Sequence, residues 1–173
     1  MNIKVFLIAF ILGLTLIRAS LYADEYMIKE YEFIWHVVTV DNVDIKIQKN
    51  PTRLGVLLSG RGGKIGTVFL TATRAKAIGE VLLKAEDYYR KQLELYEKQP
   101  KGFKKDLVDT VPAGGHKVIF AFTAKIKGFE VRVMQPKLIS PIVLITKDGA
   151  VKLGKYLLDA EKMVEMVDLR VQP

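Results

Sequence analysis

Between residues 31 and 70 apolar and polar side chains alternate. Tyr31, Phe33, Trp35 and Val37 fall on one side of an extended chain. Val43, Ile45 and Ile47 fall on one side of the next run, with Asp44, Lys46 and Gln48 opposite. Leu54 to Ser59 and Lys64 to Leu70 complete a set of four. A period of two predicts strands, because successive side chains leave an extended backbone on opposite faces. Asp41-Asn42, Asn50-Pro51 and Gly60 to Gly63 separate the runs with turn chemistry. After Leu70 the period changes. Ala75, Ile78, Leu82, Ala85, Tyr89 and Tyr96 follow helical spacing and mark one apolar face. Thr71 stands where an N-cap is wanted, and Gln99-Pro100-Lys101-Gly102 stops the helix at about Lys98.

The same order returns further on. Leu107 to Val111 is a weak run. Val118, Phe120, Phe122 and Ala124 alternate cleanly, as do Phe129, Val131 and Val133 against Glu130 and Arg132. Leu138 to Ile145 is the last strand, and Thr146 then opens a helix striped by Ala150, Leu153, Leu157, Ala160, Val164 and Val167. Shifting the chain by 75 residues lays Val68–Glu86 over Val143–Glu161 without a gap. Val68/Val143, Thr71/Thr146, Ala75/Ala150, Gly79/Gly154, Leu82/Leu157, Leu83/Leu158, Ala85/Ala160 and Glu86/Glu161 are identical. These patterns predict an α+β fold of two β-β-β-β-α repeats. Its antiparallel sheets are each covered by a C-terminal amphipathic helix. The repeats span about residues 30–98 and 105–167. Each is marginal alone, so the two should share a core within a single domain of residues 24–173. The distal turns of the first helix, Tyr88 to Tyr96, extend beyond the matched length and are read as lying on their own sheet.

In element order this doubled unit resembles the PC4/Whirly class of single-strand nucleic-acid-binding proteins. There, β-β-β-β-α units are doubled within a chain or by dimerisation. The resemblance covers most of residues 30–167 and rests on element order alone. It implies single-strand nucleic-acid binding but assigns no residues to it.

The N-terminus adds an address. One basic residue, Lys4, precedes the uncharged run Val5–Ile17, and Ala19-Ser20-Leu21-Tyr22-Ala23 follows before the first acid, Asp24. This reads as a signal peptide of residues 1–23, hence export to a periplasmic or extracellular space. An uncleaved anchor is the alternative, although 13 helical residues reach only about 20 Å against a bilayer core of roughly 30 Å. Removing residues 1–23 takes away Lys4 and Arg18 from the 27 bases and none of the 19 acids, leaving +6 over 150 residues. That excess supports solubility and a mild attraction to polyanions. With no Cys there is no thiolate chemistry and no disulfide framework.

Candidate chemistry is sparse. His36 and His116 lie far apart in the chain, the first on a strand facing away from Trp35 and the second in a turn. No His-Glu-x-x-His or comparable metal spacing occurs. Leu57-Leu58-Ser59-Gly60-Arg61 lacks the glycine of a nucleophile elbow. Ser59-Gly60-Arg61-Gly62-Gly63-Lys64 fails as a phosphate loop, because Ile65 follows Lys64 and a strand replaces the helix. It reads as a hairpin tip whose Arg61 and Lys64 protrude. Asp41, Asp44, Asp106 and Asp109 read as solvated carboxylates. The aromatics Phe33, Trp35, Phe120, Phe122 and Phe129 sit in register with aliphatics and read as core. What remains is a set of basic positions on strands and turns, able to touch an anionic partner: Arg61, Lys64, Lys46, Arg132, Lys125 and Lys127. The sequence therefore predicts an exported, non-enzymatic binding module of the cell envelope. It has no cofactor and no metal, and its partner is a protein or an anionic envelope polymer. Single-stranded nucleic acid is the alternative ligand, and a homodimer is compatible with the repeat.

Overall fold

In a computed structural model, residues 30–60, 66–98, 106–135 and 142–172 are described. The chain divides into Met1–Tyr31 with Pro173, and Glu32–Gln172; both sheets and all the helices named below belong to the second unit. The leader, the tip bearing Arg61 and Lys64, the 99–105 connector and the start of the last predicted strand lie outside the described residues. Among the described residues no helix is long and apolar enough to cross a membrane.

Strands β1 (Phe33–Val40), β2 (Val43–Asn50), β3 (Arg53–Gly60) and β4 (Thr67–Leu70) form one antiparallel sheet in that order. Strands β5 (Leu107–Ala113), β6 (His116–Thr123), β7 (Gly128–Met134) and β8 (Ile142–Ile145) form a second with the same order. Each sheet is followed by helices, so the fold is α+β with a repeated β-β-β-β-α unit. The two sheets meet where the Gly66 amide donates to the Ile142 carbonyl at 3.1 Å. The inward residues of both sheets belong to one hydrophobic core, with Phe120, Ile45, Ile47, Leu58, Leu70, Ile78, Leu82, Leu153 and Leu157 fully buried.

Two details depart from the sequence pattern. The register of β1 against β2 slips between His36 and Val38. Trp35 therefore pairs with Ile47, but Val38 and Val40 take over the inward face opposite Ile45 and Val43. Val37 is the extra residue of a bulge rather than the fourth member of a stripe. The second departure is that each predicted helix is a pair. The first comprises α1 (Ala72–Leu82) and α2 (Ala85–Glu97); the second comprises α3 (Lys147–Leu158) and α4 (Ala160–Arg170). Both break after the matched Leu-Leu, where a tight turn bonds Lys84 N–H to Val81 O and Asp159 N–H to Tyr156 O. No Pro or Gly stands at either break.

The breaks let the chain cross over. Helix α1 lies on α3, and the two meet at the matched glycines. A Cβ on Gly79 would stand 2.9 Å from the Leu157 Cβ and 3.0 Å from the Gly154 carbonyl oxygen. Beyond the break, α2 packs on β5 and β6 of the second sheet, while α4 packs on β2 and β3 of the first. The distal turns are therefore on the other repeat's sheet, not their own. Tyr88 stacks on Phe120 with centroids 4.2 Å apart, and Tyr89 meets Phe129 edge-on at 5.4 Å. Both rings are partly buried, and their burial together with the aromatic contacts is worth about 1–2 kcal/mol each, comparable with the loss of one or two helical hydrogen bonds at the break.

Both N-caps are as expected. Thr71 Oγ1 accepts from Arg74 N–H at 3.4 Å and Thr146 Oγ1 from Gly149 N–H at 3.0 Å. Asp41, in the β1–β2 turn, adds a second layer at the later cap. Its Oδ2 accepts from the Thr146 hydroxyl at 2.6 Å and from the Thr146 amide at 3.2 Å.

Candidate binding site

The basic positions do not converge. Lys46 lies on the outer face of the first sheet, with Nζ 3.4 Å from Asp44. Arg132 lies on the outer face of the second sheet and is held by Glu130. Lys125 and Lys127 are exposed in the β6–β7 turn, where Lys127 adopts a positive φ of 46°. Arg61 and Lys64 lie outside the described residues. Thus Lys46 and Arg132 each already face a carboxylate and sit on different sheets.

Three side chains that read as solvated or as turn positions are in fact engaged. Asp44 is only 6% exposed. It accepts from the Thr39 hydroxyl at 2.7 Å and stands 3.4 Å from His36 Nε2. Cross-strand register explains the cluster: Thr39 is opposite Asp44, and His36 is opposite Lys46, on one face. His116 is the first residue of β6, buried, and its ring nitrogen Nδ1 bonds the Gly114 carbonyl at 3.2 Å. Asp109 accepts from Lys91 and Gln92, both at 2.9 Å. Burial pushes its carboxyl up, but the bonds from Gln92 and Lys91 and the Lys91 charge outweigh that and hold its pKa below the ordinary value. Among the described residues no three His, Asp or Glu side chains gather as metal ligands would.

The asymmetry between the halves is what creates an open site. In the second half, α2 fills the inner face of its sheet. Gln92 is fully buried and donates to Asp109 and to the Phe120 carbonyl at 3.1 Å, while Tyr89 and Tyr96 pack against Phe122 and Phe129. The 75-residue shift places Val164, Val167 and Val171 where Tyr89, Gln92 and Tyr96 stand. These shorter residues leave the inner face of β1 uncovered beside α4. The result is a cleft of about 260 Å³ lined by Phe33, Trp35, Met166, Val167, Arg170 and Val171. One of its walls is itself open to solvent: Phe33 is 37% exposed. Arg170 makes no ion pair among the described residues and is its cation.

Lys49 fixes the helical wall. It lies opposite Phe33 in the register, almost buried, and its ammonium donates to the Asp168 and Val171 carbonyls at 3.1 and 2.6 Å and to the Asp168 carboxylate at 2.8 Å. These bonds satisfy carbonyls that the last turn of α4 leaves unpaired. The sequence pattern places Phe33 and Trp35 in the core; Trp35 does pack against it, while Phe33 is exposed. The signal that this reading passed over was the mismatch between two inward aromatics on β1 and the short side chains of the matched helix.

No family model matches the chain, and no curated protein does. Among solved structures, a protein of unknown function from the DUF155 family of Prochlorococcus sp. NATL2A is similar at 14% identity and a TM-score of 0.44. The match covers 73% of this chain and all of that one. None of these comparisons points to an enzyme family.

Proposed function

We propose that the protein is an exported, non-enzymatic binding module of the cell envelope that holds an apolar side chain of a partner protein in the β1–α4 cleft. The observation that supports this reading is the cleft itself: aromatic and aliphatic walls, Phe33 open to solvent, and Arg170, which makes no ion pair among the described residues. Concave apolar sites with few polar groups are where proteins take ligands, and exposed apolar patches mark interaction surfaces. Export rests on the leader of residues 1–23. The basic residues support a polyanion reading less well, because Lys46 and Arg132 are each matched by a carboxylate and lie on separate sheets.

The test uses the only tryptophan, Trp35, which lines the cleft. Anilinonaphthalene sulfonate, an apolar anion, should quench Trp35 emission by saturable energy transfer. Met166→Glu should weaken that binding by about tenfold or more, because a carboxylate in an apolar cleft is costly to desolvate. Single-stranded DNA should leave the emission unchanged at low and high salt. No response to the dye, together with DNA affinity that falls steeply with salt, would replace this reading by a single-strand binder of PC4/Whirly type. Intact mass of the fractionated protein tests export: an envelope species beginning near Asp24 is expected, and full-length protein in the cytoplasm refutes it.

A further inference from the structure

Strand β1 is the outer edge of the first sheet, and among the described residues nothing pairs with its free side. Natural edge strands are blunted by Pro, Lys, bulges or covering elements. The outer edge of the other sheet, β5, carries Pro112. Strand β1 has neither Pro nor Lys, and its bulge begins only after His36. The regular, unprotected stretch is therefore Glu32-Phe33-Ile34-Trp35-His36.

That stretch is complementary to itself when reversed. In an antiparallel pair with a two-fold axis at Ile34, Phe33 of one copy lies opposite Trp35 of the other, and Glu32 lies opposite His36. Ile34 lies opposite itself. Both aromatic pairs fall on the inward face, since Trp35 shares a face with buried Ile47 and Phe33 with Lys49. Both Glu–His pairs and the Ile pair fall on the outward face, with His36 beside Lys46. Each cross-strand position thus joins like with like among apolar groups and acid with base among polar ones, the combination that stabilises neighbouring strands. The exposures agree. Phe33, Ile34 and His36 are all exposed although they lie within a strand, and Ile34 stands 48% open.

We propose that the protein forms a homodimer by pairing β1 with β1 of a second copy about an axis at Ile34, giving a continuous eight-stranded sheet. The pairing lays the partner's Phe33 and Trp35 along the open side of the cleft, so the two clefts abut at the axis. The dimer goes beyond the proposed binding role and is tested without any ligand, so either can fail alone.

Two measurements decide it, on the protein as the host leaves it after expression of the full chain. Sedimentation equilibrium should show a monomer–dimer exchange. Ile34→Lys, which sets two like charges face to face, should weaken it at least roughly tenfold. The chain has no cysteine, so Ile34→Cys places a single thiol at the axis. Opposed Cβ atoms there lie about 4.5–5.5 Å apart, against about 3.5–4.5 Å in a disulfide, so a shift of about 1 Å between the strands brings the two thiols into bonding range. Copper phenanthroline should convert this variant to a covalent dimer much faster than Val108→Cys, whose residue is more exposed but lies on β5. A monomer at all concentrations, a dimer that survives Ile34→Lys, or equal cross-linking of the two thiols would each overturn the proposal.

Discussion

At the residue scale, the matched glycines carry the contact on which the repeat is built. Gly79 faces Gly154 and the backbone of Leu158, with prospective Cβ contacts of 3.0 and 3.2 Å to main-chain atoms that have no room to swing aside. Gly79→Ala brings two opposing effects. Helix propensity returns about 1 kcal/mol, while overpacking at a rigid contact costs about 1–3 kcal/mol. Because the obstacles are backbone, the second effect wins. The urea midpoint should fall with an unchanged slope; a raised midpoint would show that α1 and α3 can separate freely. The eight matched pairs made this glycine visible in the sequence, but not its reason. A glycine within a helix reads equally as a weak spot until a second helix is seen lying across it.

At the element scale, α2 is held on the second sheet by rings on one side and by the Lys91–Asp109–Gln92 cluster on the other. The cluster makes that attachment sensitive to acid. Asp109 has a folded pKa below its ordinary value, so its ionised form is favoured by folding. Its contribution is complete above the unfolded pKa of about 3.9 and is lost as pH falls through the lower folded value. Asp109→Asn should therefore lose less stability between pH 5 and pH 3 than the wild type in parallel denaturant titrations. Equal losses would show that the cluster is not the acid-sensitive attachment. The sequence displayed Asp109 as one of two nearby acids in a weak strand. Its partners come from a helix of the preceding repeat, 17 and 18 residues away in the chain, and no local pattern pairs them.

At the scale of the whole molecule, the helix exchange makes each repeat incomplete. The inner face of the first sheet is covered by α4 from the second repeat, and α2 of the first repeat covers β5 and β6. A chain of about 70 residues is marginal even with its own helices, and here each sheet would lose the distal helix packed on it. Residues 24–98 and 106–173 produced separately should each lack cooperative unfolding. Produced together, they should recover one transition and one complex by circular dichroism and size-exclusion chromatography. Independent cooperative folding of either piece would refute the exchange.

Sequence alone determined the strands, the turns at Asp41-Asn42, Asn50-Pro51 and Lys127-Gly128, both helix N-caps and the duplication, because these follow from periodicity and from hydrogen bonds between near neighbours. It also determined that Phe120, Phe122, Phe129 and their aliphatic neighbours face inward. Only the tertiary structure decided three things: the breaks at Lys84 and Asp159, which sheet each distal helix covers, and the cleft beside Phe33 and Trp35. The physical reason is common to all three. An amphipathic stripe states that a face must be buried but not against what, since apolar burial has no direction of its own. The choice is made by shape: tyrosines and Gln92 fill one sheet, while valines and Met166 leave the other open at its edge.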